Sequence, residues 1–258
     1  MSTPILQVKG LTKSFGGLVA VDDVTFDLPP GELHAIIGPN GAGKTTFFNL
    51  ISGLLKADAG RVVFNGMDIL GKAPHEISQL GVARTLQIKS VFNGLSVYDN
   101  VWIGAHSRER FLNPLRPARR FGETTRRVDK ILDEMGLTPH AQELAGNLSY
   151  GDVALVEMAI ALATRPKLLL LDEPVAGMSP EETERTVIKI RELSKDLNII
   201  LIEHDMEVVF RVADVITVMN QGAILCQGPP ETIAKDPLVQ EAYLGTPEEE
   251  EEALDADT

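Results

Sequence analysis

Gly38-Pro39-Asn40-Gly41-Ala42-Gly43-Lys44-Thr45 is the stretch on which the reading of this chain turns. It fits G-x-x-x-x-G-K-S/T at every defined position, a loop whose glycines let backbone N–H groups close round a phosphate. An apolar run at 33–37 reads as the strand before it, and 46–55 reads as the helix after it, starting at Thr46. That helix aims its partially positive N-terminus at the loop. Lys44 then reaches the β- and γ-phosphates of a nucleotide, and the Thr45 hydroxyl ligates Mg²⁺.

Further along lies Leu168-Leu169-Leu170-Leu171-Asp172-Glu173-Pro174. Four consecutive apolar residues suit a strand buried on both faces of a parallel sheet. Such a strand delivers Asp172 to the sheet edge, where α/β proteins hold ligands. There Asp172 holds Mg²⁺ through water, and Glu173 accepts a proton from an attacking water. Alone, the two acids fit a solvated turn equally well; the phosphate loop tips the reading toward chemistry.

Apolar runs at 5–8, 24–28, 61–64, 199–202, 215–219 and 223–226 read as further strands, with breaks at Pro29-Pro30-Gly31 and Ala59-Gly60. From about 97 to 163 the period is helical, interrupted by the arginine-rich piece 116–120. Residues 180–197 read as a helix, with Ser179 as N-cap, Pro180 at the first helical position and Glu181 and Glu182 in the first turn. The chain is α/β with a helical insertion.

The 258 residues carry a net charge of −13 from 24 basic and 37 acidic side chains. Seven of the acids stand at or beyond Glu248 with no base among them, so the body alone is −6. Neither value suits a protein that coats nucleic acid by neutralising phosphates, and no nucleic-acid partner is expected. Five adjacent glutamates make 247–258 an expected disordered tail. The stretch 108–127 holds seven arginines against Glu109 and Glu123 and reads as a solvated face, with docking on anionic headgroups as the alternative. A single cysteine, Cys226, excludes an intrachain disulfide and favours a reducing compartment. No apolar run approaches ~18 residues, so no membrane span is expected. The first four residues lack the basic and apolar regions of a signal peptide.

Together these residues resemble the nucleotide-binding subunit of ABC transporters, over roughly residues 5–244. Leu148-Ser149-Tyr150-Gly151-Asp152 looks like the family's LSGGQ signature. The resemblance implies that Ser149 and Gly151 act on ATP held by the opposite subunit, while Ser149 also suits a helix cap. Gln87, in Arg84-Thr85-Leu86-Gln87, matches the glutamine that touches Mg²⁺ and senses the membrane partner. His204, in Ile202-Glu203-His204-Asp205, matches the histidine at the γ-phosphate. Phe15, in Lys13-Ser14-Phe15-Gly16-Gly17, matches the aromatic that stacks on adenine, whereas residue type alone suggests a core position.

The implied fold is a P-loop NTPase core with a parallel sheet, an N-terminal antiparallel β-subdomain and an inserted helical subdomain at about 90–164, all within 1–246. The implied cofactors are ATP and Mg²⁺. The implied partners are a second ABC subunit, identical or not, two transmembrane permease subunits and, indirectly, a periplasmic or extracellular solute-binding protein. The implied location is peripheral, on the cytoplasmic face of the inner (plasma) membrane. More narrowly, the chain is similar to ATP-binding subunits of branched-chain (hydrophobic) amino-acid importers. That likeness runs through Leu11-Thr12-Lys13-Ser14-Phe15-Gly16-Gly17-Leu18, Leu148-Ser149-Tyr150-Gly151, Glu173-Pro174-Val175-Ala176-Gly177-Met178-Ser179-Pro180-Glu181-Glu182-Thr183 and Glu203-His204-Asp205-Met206. Urea and aromatic-acid importers share these stretches. A non-transport ABC ATPase and a binding-only regulator are rival readings.

Four departures stand out. Asp152 replaces the usual Gln, Val153-Ala154-Leu155 replaces a polar run, Ile160 replaces a common arginine, and Ser179 sits where an aspartate is usual. They predict a less basic signature helix and a weaker hydrogen bond at Ser179.

Overall fold

Alternating burial along the N-terminal strands shows how the polypeptide begins. In the computed structural model, which describes residues 3–85, 91–107 and 122–244, β1 (Leu6–Phe15) and β2 (Leu18–Leu28) form a hairpin closed at Phe15 and Leu18. Val24, Phe26 and Leu28 turn inward while Thr25 and Asp27 face water, the period-two pattern of a half-buried strand. β3 (Leu33–Ile37) follows, buried along its whole length, and leads through the phosphate loop into α1 (Lys44–Ile51). Gln87, most of the arginine-rich piece and the tail at 247–258 fall outside the described residues.

Two corrections to the sequence reading arise here. The helix after the loop begins at Lys44 and ends at Ile51, not at 46 and 55, because Gly53 takes a left-handed φ of +76° just beyond it. Ala59-Gly60 is no break: it opens β4 (Ala59–Phe64). Gly60 sits at φ +102°, and a Cβ there would lie 2.5 Å from the Gly10 carbonyl oxygen. The β1–β4 register shifts at the same place, between Lys9 and Thr12, so this glycine marks a close strand approach. With β5 (Met67–Asp68) the antiparallel order is β2-β1-β4-β5.

The chain divides into two compact units, Met1–Ala73 with Ile200–Thr258, and Pro74–Ile199. The second unit opens with α2 (Pro74–Leu80) and β6 (Val82–Arg84). Its helices are α3 (Val97–His106), α4 (Gly122–Glu134), α5 (Tyr150–Ala163) and α6 (Pro180–Leu193), with the buried strand β7 (Leu168–Asp172) parallel to β6. α3 packs on α4 and α5. Gly104 makes that approach close, since a Cβ there would meet the Ile160 carbonyl oxygen at 2.7 Å. Ile160 and the buried Val153, Ala154 and Leu155 therefore serve helix packing, which accounts for apolar residues where the resemblance suggested polar ones. α6 stops at Leu193, short of the expected 197. Lys195 and Asp196 close tight turns back onto Glu192 and Leu193, and Leu197 still reaches the interior.

β8 (Asn198–Ile202) returns the chain to the first unit. There α7 (Met206–Val212), β9 (Val215–Asn220), β10 (Ala223–Gly228), α8 (Pro230–Ile233) and α9 (Pro237–Leu244) complete the fold. β9 runs parallel to β3 and antiparallel to β10. Gln221 and Gly222, both at positive φ, make the two-residue turn between β9 and β10. Phe26 packs edge-on against His34 and Phe47, at 4.8 and 5.9 Å between ring centroids. Both nitrogens of the buried His34 are engaged, with Glu32 and Thr217. Among the described residues no helix is long and apolar enough to cross a membrane.

Candidate nucleotide site

The first unit builds the phosphate loop between a buried strand and a helix with no side-chain cap. Gly38, Gly41 and Gly43 have φ of +151°, +81° and +97°, conformations that L side chains rarely adopt. Gly38 and Gly43 are also walled in: a Cβ would lie 2.1 Å from the Met219 carbonyl oxygen and 2.3 Å from that of Ala20. Backbone therefore fixes the loop's shape from two sides. Pro39, Asn40 and Ala42 complete it, with the Ala42 amide donating to Pro39. Lys44 curls back over the loop, its ammonium donating to the carbonyls of Gly38 at 2.6 Å and Pro39 at 3.0 Å. Thr45 and Thr46 occupy the first turn of α1, with Thr45 exposed.

Three further residues of this unit bear on the site. Phe15 is 47% exposed at the end of β1, with the Lys13 ammonium 5.4 Å from its ring centre. An exposed aromatic face suits stacking on a base and rejects the core position that residue type suggested. His204 is 64% exposed beside the fully buried Glu203, whose carboxylate accepts from the His204 amide. Tyr243 of α9 brings its hydroxyl next to the Gly38 backbone, where burial pushes the phenol up to about 12 and that backbone offsets part of the shift.

The second unit holds the acids. Asp172 ends β7, and its side chain is wholly buried. Its Oδ2 accepts from Arg84 Nη2 at 2.8 Å, and its amide donates to the Thr85 hydroxyl. Oδ1 is buried with no hydrogen-bond partner, a state that costs ~1–3 kcal/mol or more for a charged group and that a cation relieves. The donor set thus fits Mg²⁺, a hard ion that takes one or two carboxylates and keeps water and phosphate oxygens for the rest. Glu173 follows at φ +50°, a left-handed conformation uncommon for a residue other than glycine. Strain of this kind, ~1–3 kcal/mol, collects at functional positions. Asp172, Glu173, Thr85 and Tyr150 line one small hollow.

The signature stretch lies in the same unit. Ser149 is the N-cap of α5 and accepts from the Asp152 amide, while its hydroxyl faces the Asp152 carboxylate at 3.0 Å. Asp152 also takes Arg185 Nη2 at 2.7 Å, so the acid that replaces glutamine is paired. Ser179 caps α6 in a full capping box with Glu182. Glu182 reaches α5 too: the Gly151 amide donates to its Oε1 at 3.0 Å. The Ser149 hydroxyl nearby, then the Ser179 and Gly151 amides that donate to it, hold its carboxyl down at about 2.

Phe15, the phosphate loop and His204 thus fall in one unit, and Asp172, Glu173, Ser149 and Gly151 in the other. Arg84, Tyr243 and the second partner set of Glu182 were missed from sequence. Only Glu182 carried a signal, the S-x-x-E spacing from Ser179.

Comparison with known proteins follows the same lines. Residues 21–176 match the ABC transporter family, and 223–249 match a C-terminal segment described as branched-chain amino acid ATP-binding cassette transporter. The high-affinity branched-chain amino acid transport ATP-binding protein LivG of Escherichia coli is 40% identical over 253 residues, spanning 95% of this chain and 99% of its own. The probable LivG protein of Archaeoglobus fulgidus is 37% identical over 250 residues, spanning 95% and 97%. A nucleotide-free ATP-binding cassette from an ABC transporter superposes with a TM-score of 0.82 at 34% identity, over 94% of this chain and all of that one. An ADP-bound conformation of such a cassette gives 0.82 at 33%, over 95% of this chain and all of that one. With the loop, the acids and the signature stretch in place along one chain of matching length, this protein belongs to the ABC transporter family.

Proposed function

We propose that this chain is the ATP-hydrolysing subunit of an importer for branched-chain amino acids. The observation that carries the reading is the nearly full-length likeness to LivG-type proteins, joined to a phosphate loop whose conformation backbone walls impose. The chain works on the cytoplasmic face of the membrane, as one of two ABC subunits beneath two permeases that receive solute from a binding protein. An importer of urea or aromatic acids is the alternative.

Lys44, the loop amides of 38–45 and the N-terminus of α1 grip the phosphates, while Phe15 stacks on adenine. Thr45 and Asp172 would hold Mg²⁺, joined by Gln87, and that site would supply neutralisation of phosphate charge. Glu173 takes a proton from the attacking water and His204 secures the γ-phosphate. Phosphoryl transfer needs positioning and charge stabilisation above all, and these groups supply both. Ser149 and Gly151 complete the site of the second subunit, so ATP closes the pair and hydrolysis opens it. The surface at Gln87 and 91–101 passes that motion to the permeases.

Two measurements test this. Glu173→Gln should bind Mg-ATP as the parent does yet hydrolyse it about 10²–10⁴-fold more slowly, the scale of a general base; near-parental turnover removes Glu173 from the mechanism. Vesicles holding the chain with its permeases and binding protein should take up leucine only with ATP inside. ATP-driven uptake of urea instead would favour the alternative.

A further inference from the structure

Glu182, in the first turn of α6, carries a carboxylate with two sets of partners. Its Oε2 accepts from the Ser179 amide at 2.9 Å, as the capping box of its own helix requires. Its Oε1 accepts from the Gly151 amide at 3.0 Å, 31 residues earlier. Gly151 admits this only because it has no side chain: a Cβ there would lie 2.8 Å from Glu182 Cβ. One turn further along α6, Arg185 repeats the link through Asp152 at 2.7 Å. Capping α6 requires none of these contacts with α5.

We propose that Glu182 is a positioning residue for ATP hydrolysis: it fixes the turn at Ser149 and Gly151 against the start of α6, so that the signature donors keep one orientation. The inference rests on the reading that Ser149 and Gly151 face the nucleotide of the second subunit. Ser149 is exposed, and an exposed turn with no tie samples many orientations. Misplacing a reacting or binding group by about 1 Å can cost ~10²-fold. A carboxylate that accepts one backbone amide on each oxygen pins α5 to α6 with bonds roughly twice as strong as neutral ones. Asp152, which departs from the family's glutamine, gains a purpose as the second tie. The carboxylate also carries a charge that opposes an arriving phosphate. Positioning and repulsion therefore predict opposite signs for its removal, and the structure favours positioning because Oε1 is already committed to the Gly151 amide and Oε2 to the Ser179 amide.

The test uses the full chain in the Glu173→Gln background, where an ATP-bound pair persists. ATP-dependent self-association is read by sedimentation, and ATP affinity by titration at protein concentrations too low for pairing. Glu182→Ala should weaken association about tenfold, within the range for members of one hydrogen-bond network, and leave single-subunit ATP affinity within about twofold. Glu182→Gln should recover part of the loss, since glutamine keeps one acceptor and the cap. Ser149→Ala should weaken association as well. Should Ser149→Ala weaken it while Glu182→Ala leaves it unchanged or tighter, the inference fails and the signature reading stands. Should neither variant weaken it, the signature reading fails and the inference with it. An equal loss of single-subunit ATP affinity in Glu182→Ala would mark a general structural role and also overturn the inference.

Discussion

α1 and α5 both start at turns that hold a glycine, yet their N-termini are finished in opposite ways. Gly43 precedes α1 with no side-chain cap and no acid in the first turn. α5 has a serine cap, Asp152 in its first turn and Glu182 borrowed from α6. An open terminus offers amides and partial positive charge to an anion, whereas a filled one has already given them to carboxylates. The difference is one of preparation. At α1 the backbone shape is rigid and the donors wait for phosphate. At α5 the donors are tied down, so their orientation is set before any partner arrives.

One substitution made at both ends breaks the comparison most sharply. Gly43→Ala forces a Cβ to 2.3 Å from the Ala20 carbonyl oxygen at φ +97°. Left-handed strain of ~1–3 kcal/mol adds to overpacking of similar size, and neither the loop nor the strand behind it can yield. We expect a loss of about 3 kcal/mol or more in denaturant unfolding and no measurable ATP binding by titration. Parental affinity would show that the loop does not depend on that wall.

Gly151→Ala is the milder partner. Its neighbour is a side chain rather than backbone, and Gly151 lies within a helix at an ordinary φ. Alanine regains ~1 kcal/mol of helix propensity against the cost of displacing Glu182. Unfolding should therefore shift by about 1 kcal/mol or less, with ATP affinity at the chain's own loop unchanged. A loss as large as at Gly43 would mean that the α5 terminus is as rigid as the α1 terminus, and the contrast between them would fall.

The same contrast sets how far each end was legible in the sequence. The loop was readable because its requirements are local: eight consecutive residues call for glycine conformations at 38, 41 and 43 and a helix close behind, although that helix starts two residues earlier than read. Ser179 and Pro180 were equally plain, since a cap and its helix lie side by side. The Arg84–Asp172 pair spans 88 residues and the Gly151–Glu182 bond 31, and no spacing rule connects them. Gly60 misled because a glycine that lets two strands close together looks, in one dimension, like a glycine that turns the chain. Phe15 needed the family pattern, since an aromatic at a strand end is as often buried as exposed; its 47% exposure excludes only the core position.

The smallest effect isolates Glu182 by its charge alone. Its carboxyl lies at about 2 in the folded chain against an ordinary 4.5, with the Ser149 hydroxyl as the leading cause. A depressed carboxyl stabilises the fold fully above its unfolded value, because the folded chain then binds no more protons than the unfolded one. As pH falls from 4.5 toward about 2 the unfolded chain takes up a proton first, and that stability drains away. Glu182→Gln has nothing to titrate in this window but keeps the capping geometry. Thermal melts of the two proteins should therefore run apart above pH 4.5, with the parent higher, and converge as pH approaches 2. Every other acid is common to both, so its titration cancels in the difference. Parallel curves across the window would show that the Ser149, Gly151 and Ser179 bonds do not favour the carboxylate, and the filled end of α5 would then be held by shape and not by charge.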